Sequence, residues 1–203
     1  MKPSPILMTG VNVRAILEGR KTQTRRIIKG DVWKEGSGLF WTGDKFTYEL
    51  SAPNGTDVCP FGRAGDELYV KETFKPNPYV SCEYIYRATE KEPDRYPGPW
   101  KPSIFMPRAA SRITLVIQSV RVERLQDISE EDTIAEGIEK SSKFPTHWHC
   151  YSKQMVPENG GEYVAFQNPI NSYKSLWESI NGPGSWNLNP YVWVLEFTRK
   201  EKD

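Results

Sequence analysis

A lysine and a threonine three residues apart are the first side chains in this sequence that could do chemistry together. Lys21 and Thr24 lie in the segment 17–26, where an apolar-faced stretch stops at Gly19 and alternating hydroxyl and cationic residues follow. A threonine hydroxyl acts as a nucleophile when a neighbouring group accepts its proton, and a desolvated lysine amine can be that group. These residue types therefore predict a site for nucleophilic or acid–base chemistry.

The pattern around Lys21 predicts how the two side chains meet. Apolar residues recur at helical spacing up to Leu17, and Gly19 suits the left-handed residue that closes a helix. The residues that follow favour an extended strand, in which Thr24 and Arg26 share one face. Because its stem is long, we expect Lys21 to bend toward that face.

Two acids are candidates to complete the site. Glu72 lies in the alternating segment 67–74, on the same predicted face as its apolar residues, where it either points into a site or pairs with a nearby cation. Glu136 follows a capping-box pattern that begins at Ser129, and it projects beside the apolar stripe of the predicted helix. Both acids enter the set of candidate site residues.

Cations and one tryptophan are candidates for contacts with a substrate. The arginines cluster in two places, and such clusters either bind phosphate or form a solvated face. A tryptophan on a glycine- and proline-containing loop can stack on a base. The candidate substrate-binding residues, together with Glu72, are Arg20, Arg25, Arg26, Arg108, Arg112 and Trp186.

Composition limits the classes of function. The 27 basic residues nearly balance the 26 acidic ones, so no bulk cationic field drives binding to nucleic acid, and any such contact must be local. No window approaches the roughly 20 apolar residues of a membrane span. We therefore predict a cytoplasmic protein with no membrane partner.

The cysteines and histidines do not form a recognisable framework. Three widely spaced cysteines without a CxxC pair argue against disulfides or a zinc ribbon and favour a reducing compartment. His147, His149 and Cys150 lie in one short segment, but such a segment rarely completes a metal site without a distant ligand. We predict neither a metal nor a cofactor.

The pattern of elements indicates an α+β fold. About three short helices accompany six or seven strands, which favours a small mixed β-barrel flanked by the helices. We expect one domain over residues 1–203, with insertions near 31–60, 75–108 and 140–170.

Individual elements follow from the local periodicity. A hairpin is predicted around Gly43-Asp44, and residues 111–125 are predicted to form one long strand or a strand pair. A final helix is predicted over 171–180, and the alternation over 190–199 predicts a closing strand buried on at least one face.

Four blocks of this sequence resemble the ASCH domain, a family with a PUA-like β-barrel. The first is Leu-Glu-Gly-Arg-Lys-Thr-Gln-Thr-Arg-Arg at 17–26, which is similar to the family signature. The others are the glycine-aspartate turn into a strand at 65–70, the strand-to-helix step at 125–136 and the closing strand at 192–197. The whole chain looks like a longer branch encoded by phages or prophages.

The resemblance implies a chemistry and a set of partners. Small bacterial members that resemble this core hydrolyse the amide of N4-acetylcytidine with a lysine, a threonine and a glutamate, which correspond here to Lys21, Thr24 and Glu136. The resemblance also implies an alternative, a module that binds RNA or a modified base without turnover, and it suggests phage components as partners. It implies nothing about the oligomeric state or the function of the insertions.

Two schemes of amide hydrolysis are open at this point. In the first, Lys21 with a lowered pKa takes a proton from Thr24. In the second, Glu136 is the base and cationic Lys21 stabilises the oxyanion. The sequence is compatible with both.

Overall fold

The strands and helices are those of a computed structural model, which describes residues 3–43, 46–52, 54–92, 95–152 and 165–201. The helices are Gly10–Leu17 (α1), Glu130–Ala135 (α2) and Pro169–Asn181 (α3). The strands are Ser4–Leu7 (β1), Gln23–Ile27 (β2), Val32–Glu35 (β3), Gly38–Thr42 (β4), Thr47–Glu49 (β5), Glu67–Lys71 (β6), Phe74–Pro76 (β7), Tyr84–Tyr86 (β8), Thr114–Arg124 (β9), Trp148–His149 (β10), Ala165–Phe166 (β11) and Tyr191–Arg199 (β12).

A five-stranded sheet in the order β1-β6-β9-β12-β2 forms the centre of the fold. β1 runs parallel to β6, and the other neighbours are antiparallel. The long strands β9 and β12 pair over their whole length, with a register shift between Glu196 and Phe197. This pairing confirms that residues 111–125 contain one long strand.

β12 is buried on both faces because it lies between two hydrophobic clusters. Trp193 and Leu195 point into a cluster that includes Val13 of α1, whereas Val192 and Val194 point into one formed with α3 and with the residues that flank α2. Alternate residues of a strand face opposite sides of its sheet, so one strand supplies both cores. Burying each of these side chains contributes about 2 kcal/mol.

The helix ends follow the local sequence. Thr9 caps α1 and Ser129 caps α2 by accepting a backbone N–H with the side-chain hydroxyl. Gly19 has φ +75° just beyond α1, and Gly182 has φ +97° at the end of α3. The predicted helix over 171–180 is confirmed and is longer by a few residues.

The three predicted insertions carry small sheets of their own. The first contains β3, β4 and β5, and its β4–β5 hairpin was predicted, although its turn at Asp44 lies outside the described residues. The second contains the β7–β8 hairpin, and the third contains β10 paired with β11. The predicted excursion over 140–170 lies in part outside the described residues.

The α+β class is confirmed, and closure of the sheet into a barrel is not seen. Among the described strands the main sheet ends at β1 and β2, which share no backbone ladder. The Nη2 of Arg26 in β2 donates to the carbonyl of Leu7 in β1 at 2.7 Å, so a side chain bridges the two edges. The PUA-like barrel stays a prediction. No helix in the described ranges is long and apolar enough to cross a membrane.

Candidate active site

The ends of α1 and α2 meet at the residues the sequence singled out. The backbone N–H of Lys21 donates to the carbonyl of Ala15, and that of Thr22 donates to the carbonyl of Ala135. Gly137 allows this approach, because a Cβ there would lie 2.7 Å from the Cβ of Lys21 and the backbone has φ +86°. Lys21 and Glu136 are therefore held side by side across 115 residues of sequence.

Lys21 and Glu136 form an enclosed ion pair. The Nζ of Lys21 donates to Oε2 of Glu136 at 2.6 Å and to the backbone carbonyl of Glu136 at 2.8 Å. The side chains are only 1% and 4% exposed. Burial lowers the pKa of Lys21 below its usual value, and the carboxylate of Glu136 opposes that effect without overcoming it. The amine can thus lose its proton more easily than a solvated lysine.

Two further groups hold the carboxylate of Glu136. Nη1 of Arg25 lies 3.4 Å from Oε1 of Glu136. Burial, followed by the charge of Glu136, raises the pKa of Tyr173 well above its ordinary value, and a hydrogen bond between the two side chains acts in the same direction. Tyr173 therefore stays protonated beside the carboxylate.

A cavity of about 270 Å³ lies beside this cluster. Thr24, Glu136 and Tyr173 line it, together with Asn12, Arg25, Arg26, Ile27, Lys29, Phe61, Leu176, Trp177, Ile180 and Asn181. Thr24 is 1% exposed, and within the described ranges its hydroxyl has no hydrogen-bond partner. A buried hydroxyl without a partner is costly unless a ligand or water satisfies it.

Two N–H groups in the cavity wall also lack an acceptor. The Nε of Arg25 and the Nε1 of Trp177 are buried and have no hydrogen-bond partner among the described residues. Such donors are rare in folded proteins. Because both atoms are fully enclosed, a ligand in the cavity does not reach them, and the groups that the wall presents are the carboxylate of Glu136 and the hydroxyl of Thr24.

Behind the cavity, a network of ion pairs fixes α2 against the sheet. Nη2 of Arg25 lies 2.7 Å from Asp132 and 3.0 Å from Glu123. Arg121 also pairs with Asp132, at 2.9 Å, and with Glu196. Breaking a buried ion pair is costly because it leaves a charge without its partner. The network therefore holds the guanidinium of Arg25 in one position.

The structure corrects the predicted orientation of Lys21. We expected its stem to bend toward Thr24, but its Nζ hydrogen bonds are to Glu136, and within the described chain it makes none to Thr24. The carboxylate draws the amine because an enclosed cation needs an anionic partner more than a hydroxyl does. Thr24 and Glu136 share the cavity wall, whereas Lys21 lies behind Glu136.

Several predicted substrate contacts lie elsewhere. Arg20 pairs with Glu18 and with Glu139, at 3.0 Å, on the outer side of the α1–α2 junction. Arg108 lies over the ring of Tyr69, with 5.0 Å between its Cζ and the ring centroid. Neither arginine lines the cavity beside Glu136.

Glu72 and Arg112 were also predicted as substrate contacts, but they pair with each other. Nε and Nη2 of Arg112 donate to the two carboxylate oxygens of Glu72 at 2.8 and 3.0 Å. This is the alternative in which Glu72 pairs with a nearby cation. Neither residue lines the cavity beside Glu136.

Trp186 packs in the core rather than standing on a loop surface. It is 8% exposed and meets Tyr173 edge to face, with ring centroids 6.2 Å apart. Its backbone carbonyl accepts a hydrogen bond from Gln126. The glycines around it form the turn that folds it back onto α3.

Sequence reasoning missed Tyr173, Trp177 and Asn12 as cavity residues. Tyr173 lies one helical turn before Trp177, so it shares the face of α3 that the predicted apolar stripe already marked. Asn12 gives no signal in the sequence, because its place depends on how α1 packs over β2. In the described part of the chain no three potential ligand side chains lie close enough to hold a metal.

No family model, curated protein or solved structure matches this chain. The resemblance to the ASCH domain therefore stays a prediction, and a function has to be inferred from the geometry of the cavity.

The arrangement suits the hydrolysis of an uncharged acyl group. Glu136 can accept a proton at the cavity wall, while Lys21 and Arg25 hold its carboxylate in place. Thr24 presents a hydroxyl in the same wall. The side-chain amide of Asn12, which also lines the cavity and has no hydrogen-bond partner among the described residues, can donate to the oxygen of a carbonyl that becomes negatively charged during the reaction.

Proposed function

We propose that this protein is an amidohydrolase that removes an acyl group from a modified nucleoside such as N4-acetylcytidine. The observation that carries the proposal is the convergence of an enclosed Lys21–Glu136 pair with Thr24 at one small cavity. The same three residues are those that the resemblance to the ASCH domain implies.

The reaction breaks the amide C–N bond and adds water across it. The acyl carbon gains oxygen and leaves as acetate, and the nitrogen gains hydrogen and remains on the base as the amino group of cytidine. Glu136 receives the proton of the attacking hydroxyl, from either Thr24 or a water that Thr24 orients, and returns it to the leaving nitrogen. If Thr24 attacks, water then hydrolyses the acyl ester.

Lys21 acts behind Glu136 in this scheme. Its position in the ion pair supports the carboxylate as base, as in the second scheme, but it leaves Lys21 behind Glu136 and not at the oxyanion. Its lowered pKa allows it to share the proton that Glu136 receives. We expect Lys21 to contribute to positioning and to proton affinity rather than to contact the acyl group.

Turnover of N4-acetylcytidine, followed by chromatographic detection of cytidine and acetate, tests the proposal. We expect Thr24→Val to lower kcat/KM by about 100-fold or more, because valine keeps the shape and removes the hydroxyl. Thr22→Val is the matched control, since Thr22 is exposed two residues away, and it should retain full activity.

The alternative function, binding of RNA or a modified base without turnover, is distinguished by the same assay. Tight binding of N4-acetylcytidine with no cytidine released by the wild-type protein would support that alternative. Equal turnover by wild type and Thr24→Val would show that this cavity is not the site of the reaction.

A further inference from the structure

A second and larger cavity adjoins the one beside Glu136. It has a volume of about 780 Å³ and opens between the end of β1, the start of α1 and the segment after β8. It is called the arginine cleft here, and its polar lining residues are Thr9, Asn12, Arg14, Arg26, Thr73, Arg87 and Ser103. Asn12, Arg26, Phe61 and Ile180 line both cavities, so one ligand can occupy the two together.

The described wall of the arginine cleft is cationic. Arg14, Arg26 and Arg87 line it, and no aspartate or glutamate is among its described lining residues. None of the three forms an ion pair with another described residue. Arg25, the neighbour of Arg26 in β2, instead pairs with three acids, Glu123, Asp132 and Glu136.

The three guanidinium groups are held by uncharged contacts that leave their charge available. Nη1 of Arg14 donates to the carbonyl of Ala88 at 3.3 Å, and Nη2 of Arg26 donates to the carbonyl of Leu7 at 2.7 Å. The Cζ of Arg87 lies 5.6 Å from the centroid of the Trp100 ring. Burial lowers the pKa of Arg26, and the charge of Glu136 opposes that effect without overcoming it.

The first turn of α1 adds polar groups to the same wall. The helix begins at Gly10, and the backbone N–H groups of its first turn point out of its N-terminus, which favours an anion. Asn12 is 5% exposed, yet its side-chain amide has no hydrogen-bond partner among the described residues. This amide is not one of the fully enclosed unpaired groups, so a ligand in the cavity can reach it.

We propose that the arginine cleft binds the phosphate of a nucleotide, so that the substrate is an acylated nucleoside monophosphate rather than a free nucleoside. This inference rests on the proposed function, because it places the modified base beside Glu136 and the phosphate among Arg14, Arg26 and Arg87. One guanidinium group can donate two parallel hydrogen bonds to the oxygens of a phosphate. A phosphate monoester carries about two negative charges at neutral pH.

The size and charge of the cleft favour a mononucleotide over a polymer. Cavities of about 300–1,000 Å³ hold single small molecules, and the volume of the cleft falls in that range. The chain has a net charge of only +1, whereas surfaces that follow a nucleic acid backbone are strongly basic. Three arginines in one cavity suit one phosphate group.

Turnover of N4-acetylcytidine and of its 5′-monophosphate by the same preparations tests this proposal. We expect the wild-type protein to show a kcat/KM for the nucleotide at least about tenfold above that for the nucleoside, since each charge-assisted hydrogen bond is worth that much or more. In the double variant Arg14→Gln and Arg87→Gln, the ratio of the two values should fall toward one.

Arg124→Gln is the matched control. Arg124 also donates to a backbone carbonyl and lies over an aromatic ring, that of Tyr191, but it does not line the arginine cleft. It should leave the ratio unchanged. Arg87→Gln alone changes an exposed side chain and provides a second variant whose folding is not at risk.

Binding of cytidine 5′-monophosphate and of cytidine, measured by calorimetry, separates the two proposals. If no acylated compound is hydrolysed but the monophosphate binds more tightly than cytidine, and the double variant abolishes the difference, the phosphate site stands and the hydrolase fails. If both substrates turn over equally in wild type and double variant, the phosphate site is wrong and the hydrolase stands. Much tighter binding of an RNA oligonucleotide than of the monophosphate would overturn the assignment of a mononucleotide.

Discussion

Glu136 and Glu72 are both buried carboxylates, and they differ in what surrounds them. Arg112 satisfies both oxygens of Glu72 with a planar pair of hydrogen bonds. Glu136 is instead shared between Lys21, Arg25 and Tyr173 and forms part of a cavity wall. Burial alone therefore does not mark a functional acid in this protein.

The difference shows what a reactive acid needs. The pairing of Glu72 is complete and rigid, so it leaves the carboxylate no position for a substrate proton. Glu136 is held by Lys21 and Arg25 from one segment and lies beside Tyr173 from another, and the cavity that it lines also contains the Thr24 hydroxyl, which has no hydrogen-bond partner in the described chain. Incomplete hydrogen bonding beside a cavity is the sign that separates the two acids.

The largest expected effect is on turnover by Glu136→Gln. Glutamine keeps the shape but accepts a proton poorly, so kcat/KM for the acylated substrate should fall by about 100-fold or more. Glu72→Gln removes an equally buried charge and is the matched control, with turnover expected within a few-fold of wild type. If kcat/KM fell equally in the two variants, the fall would reflect a loss of stability rather than the removal of a catalytic base.

The two pairs should also differ in stability. Arg112→Ala leaves Glu72 buried without its cation and should lower the free energy of unfolding by about 3 kcal/mol. Lys21→Met should cost less, about 1–2 kcal/mol, because Arg25 and Tyr173 still hold Glu136. Urea unfolding measures the loss in free energy of unfolding for each variant. A larger loss in Lys21→Met would show that the Lys21–Glu136 pair contributes more to stability than the Arg112–Glu72 pair.

The two acids also show how far sequence reasoning reached. The pattern after Ser129 predicted α2 and thus the place of Glu136 along the chain, because capping and helical periodicity are local signals. The same local reasoning could not tell Glu72 from Glu136, since their partners Arg112 and Lys21 lie 40 and 115 residues away. Only packing of α1, α2 and the sheet brings such groups together.

Adjacent arginines likewise have partners that the local sequence does not predict. Arg25 and Arg26 are adjacent in sequence and indistinguishable by composition, yet a strand sends them to opposite faces. Arg25 enters an acid-rich network, and Arg26 enters the arginine cleft with Arg14 and Arg87. Arg14 and Arg87 were not predicted as ligand contacts because the cleft forms between elements that are distant in the chain.

The contribution of Lys21 to the free energy of unfolding should depend on pH. Burial lowers the pKa of Lys21 below 10.5 in the folded state, so the unfolded chain binds more protons there as the pH rises toward 10.5. The free energy of unfolding of wild type relative to Lys21→Met should therefore increase with pH through that window. Urea unfolding at pH 7.5, 9 and 10 measures it, and a constant difference would show that Lys21 titrates like a solvated lysine.

The smallest effect is expected from Tyr173→Phe, which tests whether Glu136 needs all its partners. Losing the hydroxyl removes the polar group that lies beside the carboxylate, while Lys21 and Arg25 remain in place. We expect kcat/KM to fall by about three- to tenfold, because Glu136 loses less than a full hydrogen bond to a charged group, which contributes about 1.5–3 kcal/mol.

Tyr86→Phe is the counterpart near Glu72, because the Tyr86 hydroxyl donates to the carbonyl of Ala110 and not to an acid. That variant should leave kcat/KM unchanged, and an equal loss in both variants would mean that the two acids are not independent.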